Sequence, residues 1–192
     1  MSAPAAMIAR DPANTDATDF TPTPEPVARA MVALEPWGPR VWEPACGDGA
    51  LSGQFLRAGI DVVETDLAPR GVGSRLDFLH ARHLLAPEIC TNPPYRDGLT
   101  DAFAAKALEL GARRVMLLMP LGWMQAVQAP RPQLLRRGLA RVWVSSRRIA
   151  FKRGGWDEGQ GGGSMHKHAL YVWEAGYAGD PVLKFFDWRE WE

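Results

Sequence analysis

The stretch "RVWEPACGDGALSGQFLRAGIDVVETDL", residues 40–67, sets two short apolar runs on either side of a glycine-punctuated turn. Val41 and Trp42 read as a strand closing at Glu43, and Gly47 and Gly49 as a tight turn. Leu51, Phe55 and Leu56 carry a helix toward Gly59, and Ile60 to Asp66 reads as a second strand. Strand, helix and strand in so short a span require a crossover between parallel strands, and therefore an α/β sheet.

The same alternation extends both ways along the chain. Upstream, "TPEPVARAMVAL" puts Pro26 near a helix start with Val27, Ala30, Met31 and Leu34 at helical spacing. Downstream, Glu88 to Thr91 forms a strand, and Thr100 to Leu110 a helix capped by Thr100 with Phe103, Ala107 and Leu110 on one face. "RRVMLLMP" is nearly all apolar, as a strand covered on both faces must be. A short helix over Pro132–Leu139 precedes the strand "ARVWVSS", and "HKHALYVWE" reads as the last strand. The linking "KRGGWDEGQGGGS" is expected to be a mobile connection. The expectation is a Rossmann-like, mostly parallel sheet with a C-terminal antiparallel hairpin.

Bulk composition narrows the class. The 192 residues, 46% apolar, suit one domain, placed at 20–192, preceded by an Ala/Pro/Asp/Thr-rich tail over 1–19 that is expected to be disordered. Lys+Arg and Asp+Glu both total 22, so any nucleic-acid partner must be met by a local patch. Cys46 and Cys90 sit singly inside apolar runs, which argues against a disulfide or zinc framework. Without a membrane-length apolar run or a signal-peptide pattern, the chain is expected to be cytoplasmic.

Ligands of open parallel sheets bind beyond the carboxyl ends of the strands, and four signals fall there. The turn "EPACGDG" brings bare backbone and the start of a helix to such an end, and Glu43 beside it could hold a cationic ammonium. It has GxG but not the third glycine of GxGxxG, and dinucleotide-binding folds use related turns. Asp66 ends the next strand, where a carboxylate can accept both hydroxyls of a ribose. Asp77 is spaced to reach an adenine amino group with Phe78 packing beside the ring. The fourth signal is "NPPY", residues 92–95, which closes a strand by removing two successive backbone donors and then adds an aromatic ring.

"EPACGDGAL", a strand-end Asp and "TNPPY", in that order, resemble the S-adenosylmethionine-dependent amino-methyltransferases, in particular the N6-adenine DNA methyltransferases. "FTPTPEPVARAMV", residues 20–32, is similar to the element that precedes the cofactor loop in those enzymes whose motifs run in this order. The resemblance implies S-adenosylmethionine as cofactor, held by Thr21, Pro22, Glu43, Pro44, Ala45, Gly47, Asp66, Asp77, Phe78 and Asn92. It implies methyl transfer to the exocyclic nitrogen of adenine in DNA, with Asn92, Pro93, Pro94 and Tyr95 as the catalytic motif and no metal.

The chemistry asked of the motif follows from the acceptor. An exocyclic aromatic amine is a poor nucleophile because its lone pair is delocalised into the ring. Two acceptors on its two hydrogens, the Asn92 side-chain oxygen and the Pro93 carbonyl, favour a pyramidal nitrogen with a localised pair. The prolines hold those carbonyls in an extended turn, and Tyr95 would stack on a base turned out of its helix.

Substrate contacts are expected from Tyr95, from Trp123 bordering the pocket or packing in the core, and from Arg147, Arg148 and Lys152. These basic residues belong to a run from Arg136 to Arg153 without an acidic residue, read either as a phosphate-contacting patch or as a solvated face. Trp156 could stack on a base or anchor its loop. His166 and His168 share a strand face but lack further ligands for a metal. The tail "FFDWREWE" either packs within the monomer over the sheet edge or makes a homodimer contact. No separate target-recognition region fits beside these motifs, so relaxed specificity, loops or another chain must supply recognition. The same motif suits adenine in RNA or a protein glutamine, and a non-catalytic scaffold binding cofactor or nucleic acid is the reading from a different class.

Overall fold

The computed structural model describes residues 20–125, 130–151 and 167–192. In chain order the elements are α1 (Glu25–Ala33), β1 (Arg40–Glu43), α2 (Ser52–Arg57), β2 (Asp61–Asp66) and a two-residue β3 (Ser74–Arg75). There follow β4 (Glu88–Thr91), α3 (Leu99–Glu109), β5 (Arg114–Pro120), α4 (Arg131–Arg136), β6 (Leu139–Ser145), β7 (His168–Glu174) and β8 (Val182–Phe186). They build one sheet in the order β3-β2-β1-β4-β5-β7-β6-β8.

The crossover read from residues 40–67 is present: β1 and β2 pair in parallel from Arg40↔Asp61 to Glu43↔Glu64. On its other side β1 pairs in parallel with β4, and β4 with β5. Strand order therefore reverses between β1 and β4, which opens a crevice beyond their carboxyl ends. The antiparallel strand β7 lies between β5 and β6 and pairs with both.

Side chains alternate across the sheet with the period of a strand. Trp42, Ile89, Val115, Leu117, Met119, Tyr171 and Trp173 face a core that includes Phe103, Ala104 and Ala107 of α3 and Leu134 of α4. Val41, Cys90, Met116, Leu118, Leu170 and Val172 face the opposite core, closed by Val27 and Met31 of α1 and Phe55 of α2. Each side chain completely withdrawn from water in these layers contributes about 1.5–3 kcal/mol.

At the amino ends of β4 and β5, away from the crevice, lies a buried ionic cluster. Glu88, fully buried, accepts from Gly38 N at 2.6 Å, Arg113 Nη2 at 2.7 Å and Arg114 Nη1 at 3.2 Å. Arg114 also reaches Glu174 at 2.7 Å and the Pro36 carbonyl. Arg141 bridges Glu35 at 2.6 Å and Glu174 at 2.8 Å, and Trp143 Nε1 donates to Glu35 at 2.8 Å. The hydrogen bonds from Arg141 and Arg114 hold the Glu174 carboxyl down at about 2.

Three expectations change. Thr100 is not the cap of α3: Gly98, left-handed at φ 73°, holds that position, and Thr100 Oγ1 donates instead to the Pro94 carbonyl at 3.4 Å. The short helix before β6 spans Arg131–Arg136, ending before Gly138, whose φ of 79° interrupts a helix. The strand at "HKHALYVWE" is not the last, because the tail supplies β8, parallel to β6 at the sheet edge. Four of the five β8 residues are exposed, so no burial alternation marked it. The rest of the tail packs within the monomer, with Trp188 and Trp191 against the α1 core and Arg29 Nη1 donating to the Trp191 carbonyl at 3.1 Å. The tail over 1–19 and the whole Gly-rich connection lie outside the described residues.

Candidate active site

The turn after β1 is bare backbone by necessity. Gly47 and Gly49 have φ of 56° and 83°, in the left-handed region that an L side chain disfavours. A Cβ on Gly47 would also come within 2.4 Å of the Phe20 ring, which covers the turn. The Arg70 guanidinium lies over that ring at 4.3 Å from its centroid. Neither Phe20 nor Arg70 was singled out from the sequence, although Phe20 directly precedes "TPTPEP".

Asp66 joins the turn to the end of β2. Its Oδ2 accepts from Gly47 N and its Oδ1 from Ala68 N, both at 2.8 Å. Asp77 accepts from Leu79 N at 2.9 Å and meets His80 Nδ1 at 2.7 Å, so it caps the short 3-10 turn Phe78–His80. Phe78, expected beside an adenine, has its ring buried between Trp42 and Phe103, at 5.1 and 4.9 Å, and the half-buried Leu79 packs against the same core.

Glu43, expected to hold an ammonium, is also drawn inward. It is 2% exposed, lies beneath the turn and accepts a hydrogen bond from Ser52 Oγ. Burial, outweighing the Ser52 bond, pushes its carboxyl well above the usual range. Burial and the carboxyls of Glu43, Asp66 and Glu64 likewise push the Cys46 thiol to about 12, so it is no nucleophile. Pro44 is buried and Ala45 half-buried within this turn.

Across the switch point, β4 delivers the second motif. Asn92 Nδ2 donates to the Thr21 carbonyl at 3.3 Å, and Tyr95 Oη donates to Asn92 Oδ1 at 2.5 Å. A backbone carbonyl only accepts, so the amide nitrogen must face Thr21 and the oxygen must face the other way. Thus the Thr21 backbone meets Asn92, and Pro22 is half-buried. Pro93 is buried and Pro94 half-buried. The Tyr95 ring lies 5.7 Å from the ring of His168, which lies 4.8 Å from that of Phe151. His168 thus enters as an aromatic neighbour of the motif at the start of β7, while His166 lies outside the described residues.

The expected substrate residues fall in different surroundings. Trp123 is 4% exposed, donates to Asp101 Oδ1 at 2.5 Å and packs edge-on against Tyr171 and Trp173, so it belongs to the core. The basic run is partly committed elsewhere: Arg141 is in the ionic cluster, Arg137 donates to the Leu108 carbonyl at 3.1 Å, and Arg147 pairs with Asp187 at 2.5 Å. Arg148 is exposed. Lys152 and Trp156 lie outside the described residues. Among the described residues there is no group of three or more His, Cys, Asp or Glu able to hold a metal, and no helix long and apolar enough to cross a membrane.

The strand order, the switch-point turn and the antiparallel β7 define the class I, Rossmann-like methyltransferase fold. Among solved structures, the chain is similar to the 23S rRNA methyltransferase ErmE, with TM-score 0.55 and 15% identity over 79% of this chain and 68% of that one. It is also similar to the M protein of the type I restriction enzyme EcoKI, with TM-score 0.54 and 15% identity over 84% of this chain and 45% of that one. A dimethyladenosine transferase from Plasmodium falciparum matches with TM-score 0.53 and 11% identity over 81% of this chain and 62% of that one. The chain thus spans less than half the length of the EcoKI protein. No protein-family model and no curated protein matches the sequence.

Proposed function

We propose that the chain transfers a methyl group from S-adenosylmethionine to the N6 amino group of adenine in DNA. The observation that carries this reading is the pairing, across one switch point, of a bare glycine turn tied to Asp66 with an Asn92 amide whose orientation Thr21 sets. The residues present fit the cofactor. Gly47 and Gly49 leave the turn without side chains, and each Asp66 oxygen that serves the turn keeps lone-pair capacity for a ribose hydroxyl. Asp77 would border the adenine, and Pro44 and Ala45 shape the turn. When bound, the cofactor supplies an electrophilic methyl group on a good leaving group.

The chain's own residues then have to make the amine nucleophilic. Asn92 Oδ1 and the Pro93 carbonyl accept its two hydrogens and aim the lone pair, and Tyr95 holds the base by stacking. The reaction needs no base in advance, because the neutral amine attacks and the acidic arylammonium product loses its proton afterwards. Arg148, with Lys152, is the remaining candidate for phosphate contact. We assign target recognition to loops, a second copy or a separate subunit.

The test is Asn92→Ala. Methyl transfer to DNA should fall about 10²–10³-fold, the cost of losing one preorganised polar contact, while affinity for S-adenosylhomocysteine changes far less. Retention of the full transfer rate would falsify the role of Asn92.

A further inference from the structure

Building on the proposed function, we infer that in the substrate-free protein the Tyr95 hydroxyl occupies the position on Asn92 that the acceptor amino group must take, so release of Tyr95 is a step in acceptor binding. The hydroxyl donates to Asn92 Oδ1 at 2.5 Å, while Thr21 holds the other end of the same amide. Burial raises the phenol's pKa, so it remains a protonated donor.

The two contacts are mutually exclusive on geometric grounds. A phenolic hydrogen lies in the plane of its ring, so its acceptor lies near that plane. A base stacked on the Tyr95 ring sits about 3.5 Å off the plane. An amino nitrogen in that base plane is then beyond the roughly 3.2 Å reach of a hydrogen bond to the same Oδ1. Stacking on Tyr95 and donating to Asn92 therefore require the Tyr95–Asn92 bond to break.

The backbone supplies a place to move. Asp97, at φ 53°, is the only non-glycine residue at positive φ among the described residues, and Gly98 follows at φ 73°. Two successive left-handed residues, Asp97 and Gly98, form the turn between Tyr95 and α3, about which Tyr95 can tip. The rings of His168 and Phe151 stand beside Tyr95 and limit the directions in which it can tip.

A site whose competent state is only fractionally populated binds more weakly by that fraction. Tyr95→Phe keeps the ring and removes the donor, which shifts the population by about three- to tenfold, the worth of one neutral hydrogen bond. Steady-state methylation of a single-stranded oligodeoxynucleotide with one adenine should show KM lowered about three- to tenfold in Tyr95→Phe. Independently of activity, backbone amides of residues 95–98 should exchange faster in the substrate-free variant than in wild type. If wild type methylates adenine and Tyr95→Phe shows an unchanged or raised KM, the inference is overturned while the proposed function stands. If neither protein methylates any nucleic acid, the proposed function falls, and unchanged amide exchange overturns the inference as well.

Discussion

Replacing Glu174 with Gln removes one shared acceptor from Arg114 and Arg141, whose bonds to it are 2.7 and 2.8 Å long. Those bonds lower its carboxyl from 4.5 to about 2. At about 1.4 kcal/mol per pH unit the interval is worth about 3 kcal/mol. A quarter of the side chain is in water, at 26% exposure, so solvent screening reduces this to about 2 kcal/mol. For a carboxylate with a lowered pKa, the stabilisation is complete above the unfolded value near 4.5 and is lost as pH falls toward 2. Urea unfolding at pH 7 should therefore show Glu174→Gln about 2 kcal/mol less stable, or roughly 4–8 °C lower in Tm for a domain of this size. Between pH 4.5 and 2.5 the two proteins should converge as the wild-type carboxylate is protonated. A gap under 0.5 kcal/mol at pH 7, or one that stays constant down to pH 2.5, would refute the reasoning.

The other predictions concern the site's two halves. Asp66→Ala leaves the N–H groups of Gly47 and Ala68 without their acceptor. Calorimetric affinity for S-adenosylhomocysteine should fall about 10- to 100-fold, and wild-type affinity would remove Asp66 from the cofactor site. Trp123→Ala should cost about 3–5 kcal/mol of stability, read from the urea midpoint, because the ring is in the core. Wild-type stability with selectively weakened nucleic-acid binding would return Trp123 to the pocket rim.

Much of the fold was legible because its signals are local. Residues 40–67 alternate with the periods of strand and helix, and "CTNPPY" ends β4 with prolines that cannot continue a ladder. What escaped depends on partners far apart in sequence. The basic run reads as a free patch until Arg141 is seen to meet Glu35, more than a hundred positions away, and Arg147 to meet Asp187. Phe78 and Trp123 follow the same logic: adjacency to a motif says nothing of which way a ring turns, and burial turned both into the core. Glu43 was placed correctly at the strand end, but its depth and its Ser52 partner exist only in three dimensions.

The central claim is the identity of the acceptor. The full chain should be incubated with methyl-labelled S-adenosylmethionine and, separately, with unmethylated duplex DNA, single-stranded DNA, RNA and a protein extract, followed by digestion to nucleosides or amino acids. Label should appear in N6-methyladenine from DNA, in the wild type and not in Asn92→Ala. Label confined to RNA or to protein glutamine, or the same N6-methyladenine yield from both proteins, would contradict it.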